Sequence, residues 1–138
     1  APSWKWNHVM PAKQATFSPD EFEKVLAQAK AEGRPVLIDF FADWCAACKE
    51  LDESTFSDPT VKQTVMDRFV PLKVNGTEET DEVTRLYEKY GVPGLPTVLM
   101  MACNEPAQPQ CAVPQNGPGR ISGYVPPDEM IQRMRSVQ

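Results

Sequence analysis

Apolar and polar positions along the chain follow two different spacings. In residues 18–33 the apolar side chains recur every three or four positions, which is typical of the buried face of a helix, and Gly33 supplies a stop signal. Residues 35–41 are instead almost continuously apolar, as in a strand that is buried on both faces. The pattern therefore predicts a helix followed by a central strand.

These two spacings alternate through the rest of the chain. Helical spacing predicts four more helices: one from the CxxC segment to about residue 56, a second that starts at 57–59, a third that ends at Gly91, and a closing helix over 127–137. Apolar runs predict three more strands, over 69–74, 97–102 and 120–124. This order predicts the α/β fold class, with a central mixed β-sheet of parallel strands and one antiparallel edge, flanked by helices. Residues 103–119, which are rich in Pro, Gln and Asn, are expected to form an extended loop between the last two strands.

The beginning of the chain differs from the rest. Residues 1–16 show no sustained spacing and contain two prolines, so we interpret them as an N-terminal arm or linker. Residues 17–138 then form one domain, and a chain of 138 residues is long enough to bury a sizeable core without cross-links.

Charge and the length of the apolar runs limit the function classes. The chain has 14 Lys and Arg against 19 Asp and Glu, a net charge of −5, and its basic residues form no stripe, so nucleic acid is not an expected partner. The longest apolar stretches are far shorter than the roughly 20 residues of a membrane-spanning helix. We therefore expect a segment that does not span a membrane.

Four cysteines fall into two pairs. Cys45 and Cys48 are three positions apart, whereas Cys103 and Cys111 flank part of the Pro-rich loop. An even number of cysteines, with one pair placed to close a loop, favours an oxidising compartment.

The close pair follows the apolar strand, in the segment DFFADWCAACKELD, residues 39–52. Cys45 is expected at a helix N-terminus, where free backbone N–H groups favour the thiolate, which makes it the candidate nucleophile. Cys48 lies one turn further on the same side and is the candidate resolving thiol. Because Ala46 and Ala47 offer the thiolate no side-chain hydrogen bond, the pair is expected to be reducing, an electron donor.

Three other interpretations of the close pair remain open at this point. A structural disulfide over so short a separation removes little entropy from the unfolded chain. A zinc site usually needs a second Cys or His pair at ligand spacing, and the seven residues between Cys103 and Cys111 are a poor match. A copper carrier could combine Cys45 and Cys48 with methionines, but most of the methionines fit core positions. The working dithiol is the favoured interpretation.

A further motif brings a family into view. The apolar strand, the WCxxC motif at residues 44–48 and the sequence Gly94-Leu95-Pro96-Thr97 about fifty residues later together resemble the thioredoxin superfamily. The longer segment ADWCAACKE, with TFSDP at residues 55–59, resembles more narrowly the C-terminal periplasmic domains of the DsbD family of thiol:disulfide reductants. The resemblance covers about residues 17–138 and implies a thioredoxin fold in which Pro96 is cis and lies against the dithiol.

The resemblance also implies a function and a setting. Domains of this kind receive electrons from a membrane-embedded donor domain and pass them to a periplasmic acceptor domain, by exchange between protein dithiols and disulfides and without a cofactor. We therefore expect a monomeric, extracytoplasmic thiol-disulfide oxidoreductase in which residues 94–97 and Trp44 contact the partner. Packing in the core is the alternative role for Trp44.

Two acidic residues match positions near the dithiol in the family. Asp39 occupies the position of the buried acid below the dithiol, and Asp52 that of a second acid near the site. A carboxylate beside a thiol raises the pKa of that thiol and can exchange a proton with the resolving cysteine. Asp39 interrupts an apolar run and is therefore hard to explain as a surface residue, whereas Asp52 could equally be a solvated helix residue.

The second cysteine pair is expected to be structural. A disulfide between Cys103 and Cys111 would close a nine-residue loop, and the chain-entropy model gives such a loop about 2.5 kcal/mol of stabilisation. A second redox pair is the alternative, but nothing around these cysteines in the sequence lowers a thiol pKa.

Two further functions remain as alternatives to the relay. A stand-alone thioredoxin-like reductase or isomerase would use the same chemistry with another electron source. A metal carrier would use Cys45 and Cys48 as ligands, and bound zinc or copper would identify it.

Overall fold

The computed structural model describes residues 7–8, 19–103 and 111–137. The strands are β1 (Asn7–His8), β2 (Val36–Phe41), β3 (Val70–Asn75), β4 (Thr97–Met101) and β5 (Arg120–Ile121). The helices are α1 (Pro19–Glu32), α2 (Ala46–Glu50), α3 (Pro59–Arg68), α4 (Asp81–Tyr90) and α5 (Pro127–Ser136), and a π-helical segment, Leu51–Thr55, continues α2. None of the helices in these ranges is long and apolar enough to cross a membrane.

The five strands form one mixed sheet in the order β1-β3-β2-β4-β5. Strand β3 runs parallel to β1 and β2, whereas β4 runs antiparallel to both β2 and β5. The predicted α/β class with a mixed central sheet is confirmed. The antiparallel strand β4 lies inside the sheet, between β2 and the edge strand β5.

Each face of the sheet is covered by its own layer of helices. Alternate residues of β2 point to opposite faces, so Ile38 packs with residues of α1 and α4, while Leu37 packs with residues of the π-helical segment, α3 and α5. Both layers exclude water from the central strands, whose apolar residues are buried. This two-sided burial explains why β2 and β4 are almost continuously apolar in sequence.

Helix ends follow signals that are visible in the sequence. Asp58 caps α3, and its side chain accepts hydrogen bonds from the backbone N–H groups of Thr60 and Val61 at 2.9 and 3.1 Å. Gly91 ends α4 in the left-handed conformation, with φ +63°, which glycine adopts without steric cost.

Two predicted elements differ from the structure. The last strand was expected over 120–124 but ends at Ile121, because Gly123 has φ +135° and turns the chain away before the two prolines that open α5. The helix that follows the cysteines was expected to be regular to residue 56. Instead it widens to a π turn, in which the backbone N–H of Phe56 donates to the carbonyl of Leu51 at 2.9 Å.

Most of the predicted arm, residues 1–16, lies outside the described residues, as does the loop segment 104–110. Within the arm, Asn7 and His8 pair with Leu72 and Lys73 and extend the sheet at its β3 edge. The division into an arm and a domain over 17–138 stays a prediction.

Candidate active site

Three strands bring the WCxxC motif and residues 94–97 together at one end of the sheet, where the strands begin or end. Strands β2 and β3 end there, at Phe41 and Asn75, and the antiparallel β4 begins there, at Thr97. The chain after β2 therefore enters α2 beside the turn that precedes β4. This meeting of strand ends places the WCxxC motif next to residues 94–97.

Cys45 is the N-cap residue of α2. Its backbone is extended, with φ −90° and ψ 108°, and its Sγ accepts a hydrogen bond from the backbone N–H of Cys48 at 3.1 Å. This N–H is one of those that a helix leaves without an internal partner. A thiolate on Cys45 would be stabilised by the same hydrogen bond and by the positive end of the helix.

Cys45 and Cys48 form a disulfide, with their Cα atoms 5.2 Å apart. Both side chains are buried: Cys45 is 6% exposed and Cys48 is 3% exposed. The candidate nucleophile Cys45 is therefore itself buried, and Cys48 is only slightly more buried than Cys45. The groups that pack around the disulfide therefore limit the access of a partner to Cys45.

The turn before β4 packs against the disulfide. The Leu95–Pro96 peptide bond is cis, as the family resemblance implied, and Leu95 packs against the cluster of Ala42, Cys45 and Cys48. The hydroxyl of Thr97 donates to the carbonyl of Gly94 at 2.7 Å and closes the turn, while Gly94 itself is exposed. The turn is thus held against the disulfide with its outer backbone open to solvent.

Trp44 lies on the surface beside the disulfide. Its side chain is largely in solvent, with 65% of the residue exposed, so the alternative role in core packing is wrong. The indole Nε1–H donates to the carbonyl of Thr77 at 3.3 Å. The exposed ring therefore offers apolar contact area next to the disulfide.

Asp39 lies in the middle of β2 and is buried, on the face of the sheet that α2 and the π-helical segment cover. Burial raises the pKa of Asp39 to about 7, because the charged carboxylate loses its hydration. The positive charge of Lys73 lowers the pKa of Asp39, and the negative charge of Asp52 raises it further. Among the described residues, Asp39 Oδ1 has no hydrogen-bond partner. A group with this pKa exchanges protons readily at neutral pH.

Lys73 connects the two acidic residues. Its Nζ lies 4.0 Å from Asp39 Oδ2 and 3.5 Å from Asp52 Oδ2, and it also lies 4.7 Å from the centre of the Phe41 ring. Phe41 packs against the cysteine cluster, and Asp52 follows Cys48 by one helical turn. The ammonium group of Lys73 therefore lies between Asp39 in the central strand and Asp52 in the π-helical segment, which continues the helix of the dithiol.

Sequence reasoning missed Lys73, although a signal was present. The run Val70-Pro71-Leu72-Lys73-Val74 is otherwise apolar, just as Asp39 is the charged residue in the apolar run of β2. Opposite charges in two neighbouring buried strands indicate a pair, and the register places Asp39 beside Lys73. Thr77 bonds Asp43 and Trp44, and Asn75 bonds Thr77. Neither residue gave such a signal in the sequence.

The second cysteine pair is also joined as a disulfide, with Cα atoms 4.3 Å apart. Cys103 is buried and Cys111 is half-buried, and both pack with the core on the α1 and α4 face. The backbone N–H of Ala112 donates to the carbonyl of Ala102 at 3.0 Å, so the disulfide holds two neighbouring chain segments together. This pair lies beyond the far end of β4 from the dithiol.

The described ranges contain no group of three or more His, Cys, Asp or Glu side chains placed to share a metal ion. The chemistry that the arrangement supports from its own residues is thiol-disulfide exchange by the Cys45–Cys48 pair.

Comparison with known proteins agrees with this arrangement. A family model described as Thioredoxin-like matches residues 18–102. The thiol:disulfide interchange protein DsbD of Salmonella paratyphi A is 46% identical over 94 residues, which are 68% of this chain and 16% of that protein. The DsbD protein of Escherichia coli K12 is 34% identical over 119 residues, which are 86% of this chain and 19% of that protein. The chain thus spans less than a fifth of the length of these curated relatives.

Solved structures give the same result. The reduced C-terminal domain of DsbD from Neisseria meningitidis matches with a TM-score of 0.69 and 26% identity, over 88% of this chain and 97% of that one. A thioredoxin from Thermus thermophilus matches with a TM-score of 0.70 and 27% identity, over 98% and 87% of the two chains. Because the family model covers more than half of the sequence and the fold agrees, this chain belongs to the thioredoxin-like family and is similar to the C-terminal domain of DsbD.

Proposed function

We propose that this chain is a thiol-disulfide oxidoreductase domain that donates electrons to disulfides of partner proteins. The observation that carries the proposal is the Cys45–Cys48 disulfide at the N-terminus of α2, beside a cis-proline turn. A structural role explains this arrangement poorly, because the disulfide spans only three positions and the hydrogen bond from Cys48 N–H favours a thiolate on Cys45.

In the proposed reaction the domain starts as a dithiol. The Cys45 thiolate attacks one sulfur of the partner disulfide, so a Cys45–partner bond forms, the partner S–S bond breaks and the second partner sulfur leaves as a thiolate. Cys48 then attacks Cys45 Sγ, which releases the first partner sulfur. The partner gains two electrons and ends as a dithiol, while the domain ends with the Cys45–Cys48 disulfide.

Asp39 supplies the proton transfer in this proposal. Cys48 must lose its proton before it attacks, and a carboxyl group with a pKa of about 7 is ionised often enough at neutral pH to accept that proton. Lys73 lies between Asp39 and Asp52 and stabilises the ionised form of Asp39. Asp52 acts against ionisation of Asp39, and it also holds Lys73 on the side of the helix.

The partner is proposed to dock across the disulfide. Gly94 and Leu95 form one side of the docking surface and Trp44 the other, while Pro96 and Thr97, predicted to contact the partner, are buried and hold the turn from beneath. The open backbone of the turn suits an extended partner segment, whose N–H and C=O groups can pair with it as an added strand does. The ring of Trp44 offers apolar contact next to the reacting sulfur.

We infer the position of the domain in an electron relay from its relatives. Curated relatives that match this chain are thiol:disulfide interchange proteins several times longer than the chain itself. The proposed electron donor is therefore a membrane-embedded domain, the acceptor is a periplasmic protein domain, and the location is extracytoplasmic. The presence of two disulfides supports an oxidising compartment.

A trapping experiment tests the reaction. The Cys48→Ser variant, once reduced, should attack a disulfide-containing protein and remain attached to it through Cys45, because the resolving thiol is absent. The expected result is a covalent adduct that is seen on a non-reducing gel and removed by dithiothreitol. The matched control is Cys45→Ser, which should form no adduct, and a Cys48→Ser protein that forms none either would refute the proposal.

A further inference from the structure

The loop that follows β3 holds the two residues that precede Cys45. The hydroxyl of Thr77 accepts a hydrogen bond from the backbone N–H of Asp43 at 2.8 Å. The carbonyl of the same Thr77 accepts the hydrogen bond from the indole of Trp44 at 3.3 Å. One residue, more than thirty positions along the chain, therefore contacts both residues on the N-terminal side of the nucleophile.

Thr77 is itself fixed by Asn75. The side-chain oxygen of Asn75 accepts hydrogen bonds from the backbone N–H of Thr77 at 3.0 Å and from the Thr77 hydroxyl. The hydroxyl thus donates its one proton to Asn75 and accepts from Asp43, so both of its functions are used. Valine, which has nearly the same shape, would leave the Asp43 N–H without this partner.

The rest of the loop is also held in place. The backbone N–H of Gly76 donates to the carbonyl of Phe41 at 2.6 Å, at the end of β2. A Cβ atom on residue 76 would collide with the hydroxyl of Tyr87 on α4, so a larger residue here requires the Tyr87 side chain to move. Tyr87 in turn packs edge-on against Phe40, at 6.1 Å between ring centres. The loop therefore rests on the core.

We propose that Asn75 and Thr77 are positioning residues for exchange with protein partners, because they hold the exposed Trp44 ring at a fixed orientation beside Cys45. This inference rests on the proposed function. A ring that is 65% exposed and free to rotate would lose conformational entropy on each docking event, whereas a ring that is already held does not. The two residues act through Trp44 and touch neither reacting sulfur.

The experiment compares Thr77→Val with Thr77→Ser in the full chain. Insulin serves as the protein disulfide and dithiobis(nitrobenzoate) as the small disulfide, which does not need the Trp44 surface. Thr77→Val keeps the carbonyl that accepts from the Trp44 indole but removes the hydroxyl that joins Asn75 and Asp43, so it loosens the segment that holds the ring. It should lower kcat/KM for insulin by about fivefold to tenfold, mainly through KM, an amount that corresponds to about one hydrogen bond. The rate with the small disulfide should stay within twofold, and Thr77→Ser should restore the insulin rate.

A second measurement reads the ring directly. The indole N–H of Trp44 should exchange with solvent faster in Thr77→Val and in Asn75→Ala than in the parent protein, as followed by NMR. Thr84→Val is the matched control, since Thr84 is an exposed threonine on α4 away from this loop, and it should change none of these quantities.

The outcomes separate this inference from the proposed function. Unchanged insulin kinetics in Thr77→Val, or an equal loss with both disulfides, would overturn the positioning role. A parent protein that reduces neither disulfide would refute the proposed function, and the positioning role for exchange would fall with it. A loss that is confined to insulin, rescued by serine and accompanied by faster indole exchange supports the inference.

Discussion

The two disulfides of this chain lie near opposite ends of strand β4 and have very different surroundings. Cys45–Cys48 lies where β4 begins, at a helix N-terminus and beside the cis-proline turn, with a titratable acid in the neighbouring strand. Cys103–Cys111 lies beyond the end of β4 and joins two chain segments over the α1 and α4 core. The same covalent bond is thus suited to electron transfer in one place and to loop closure in the other, and its surroundings make the difference.

The largest expected effect is on the exchange reaction. Cys45→Ser should lower the rate of insulin reduction by at least roughly 10³-fold, because the attacking thiolate is lost. The double variant Cys103→Ala with Cys111→Ala should keep the rate within about twofold, since these sulfurs lie away from the dithiol edge. Turbidity from reduced insulin measures both rates. Equal losses in the two proteins would remove the functional distinction between the disulfides.

The second prediction concerns Asp39, the acid that is buried in the dithiol region. Between about pH 4 and pH 7 the folded protein keeps a proton on Asp39 that the unfolded chain releases, so the free energy of unfolding falls as the pH rises through this window. Above pH 7 the full cost of ionising the buried group is present. Asp39→Asn cannot ionise and should be more stable than the parent at pH 8, by up to about 4 kcal/mol.

Urea unfolding of the oxidised proteins at pH 4 and pH 8 checks this prediction. The difference in the free energy of unfolding between Asp39→Asn and the parent protein should be small at pH 4 and large at pH 8. Glu53→Gln is the matched control, because Glu53 is an exposed acid on the π-helical segment. A stability difference that does not change with pH would show that Asp39 does not titrate in this range.

The third prediction concerns the loop disulfide. Replacing Cys103 and Cys111 with alanine should lower the free energy of unfolding by about 2.5 kcal/mol, the value that chain entropy gives for a nine-residue loop. Denaturant unfolding measures the loss. Reducing and alkylating the parent protein would open both disulfides, so it cannot serve as the control. The control is instead a second double variant, Cys45→Ser with Cys48→Ser, which lacks only the dithiol disulfide. If the second double variant loses as much stability as the first, the dithiol is also structural.

The smallest effect is expected for Asp52. Its side chain is 38% exposed, so solvent screens its influence on Asp39. Asp52→Asn should lower the pKa of Asp39 slightly, because the neighbouring negative charge is removed, and should change the exchange rate by less than about fivefold. An NMR titration of the Asp39 carboxyl carbon in both proteins measures the direction. An increase in this pKa would show that Asp52 acts mainly by holding Lys73.

Much of the fold could be predicted from the sequence because its signals are local. The continuous apolar runs of β2 and β4 and the glycine after α4 each depend on a few neighbouring residues, and the structure agrees with them. The missed features depend on distant contacts. The π turn at residues 51–55 accompanies a hydrogen bond from Thr55 to the carbonyl of Val125 at 2.5 Å, and nothing in the local pattern indicates it.

The candidate site divides in the same way. The sequence by itself determined the two cysteine pairs, the position of Cys45 at a helix start and the presence of an acid in a buried strand, because spacing and hydrophobicity encode them directly. Only the tertiary structure decided that Lys73 lies between Asp39 and Asp52, that Thr77 holds Trp44, and that the two disulfides lie at opposite ends of β4. Those relations arise when strand register and sheet order bring distant residues together, and a one-dimensional pattern does not specify either.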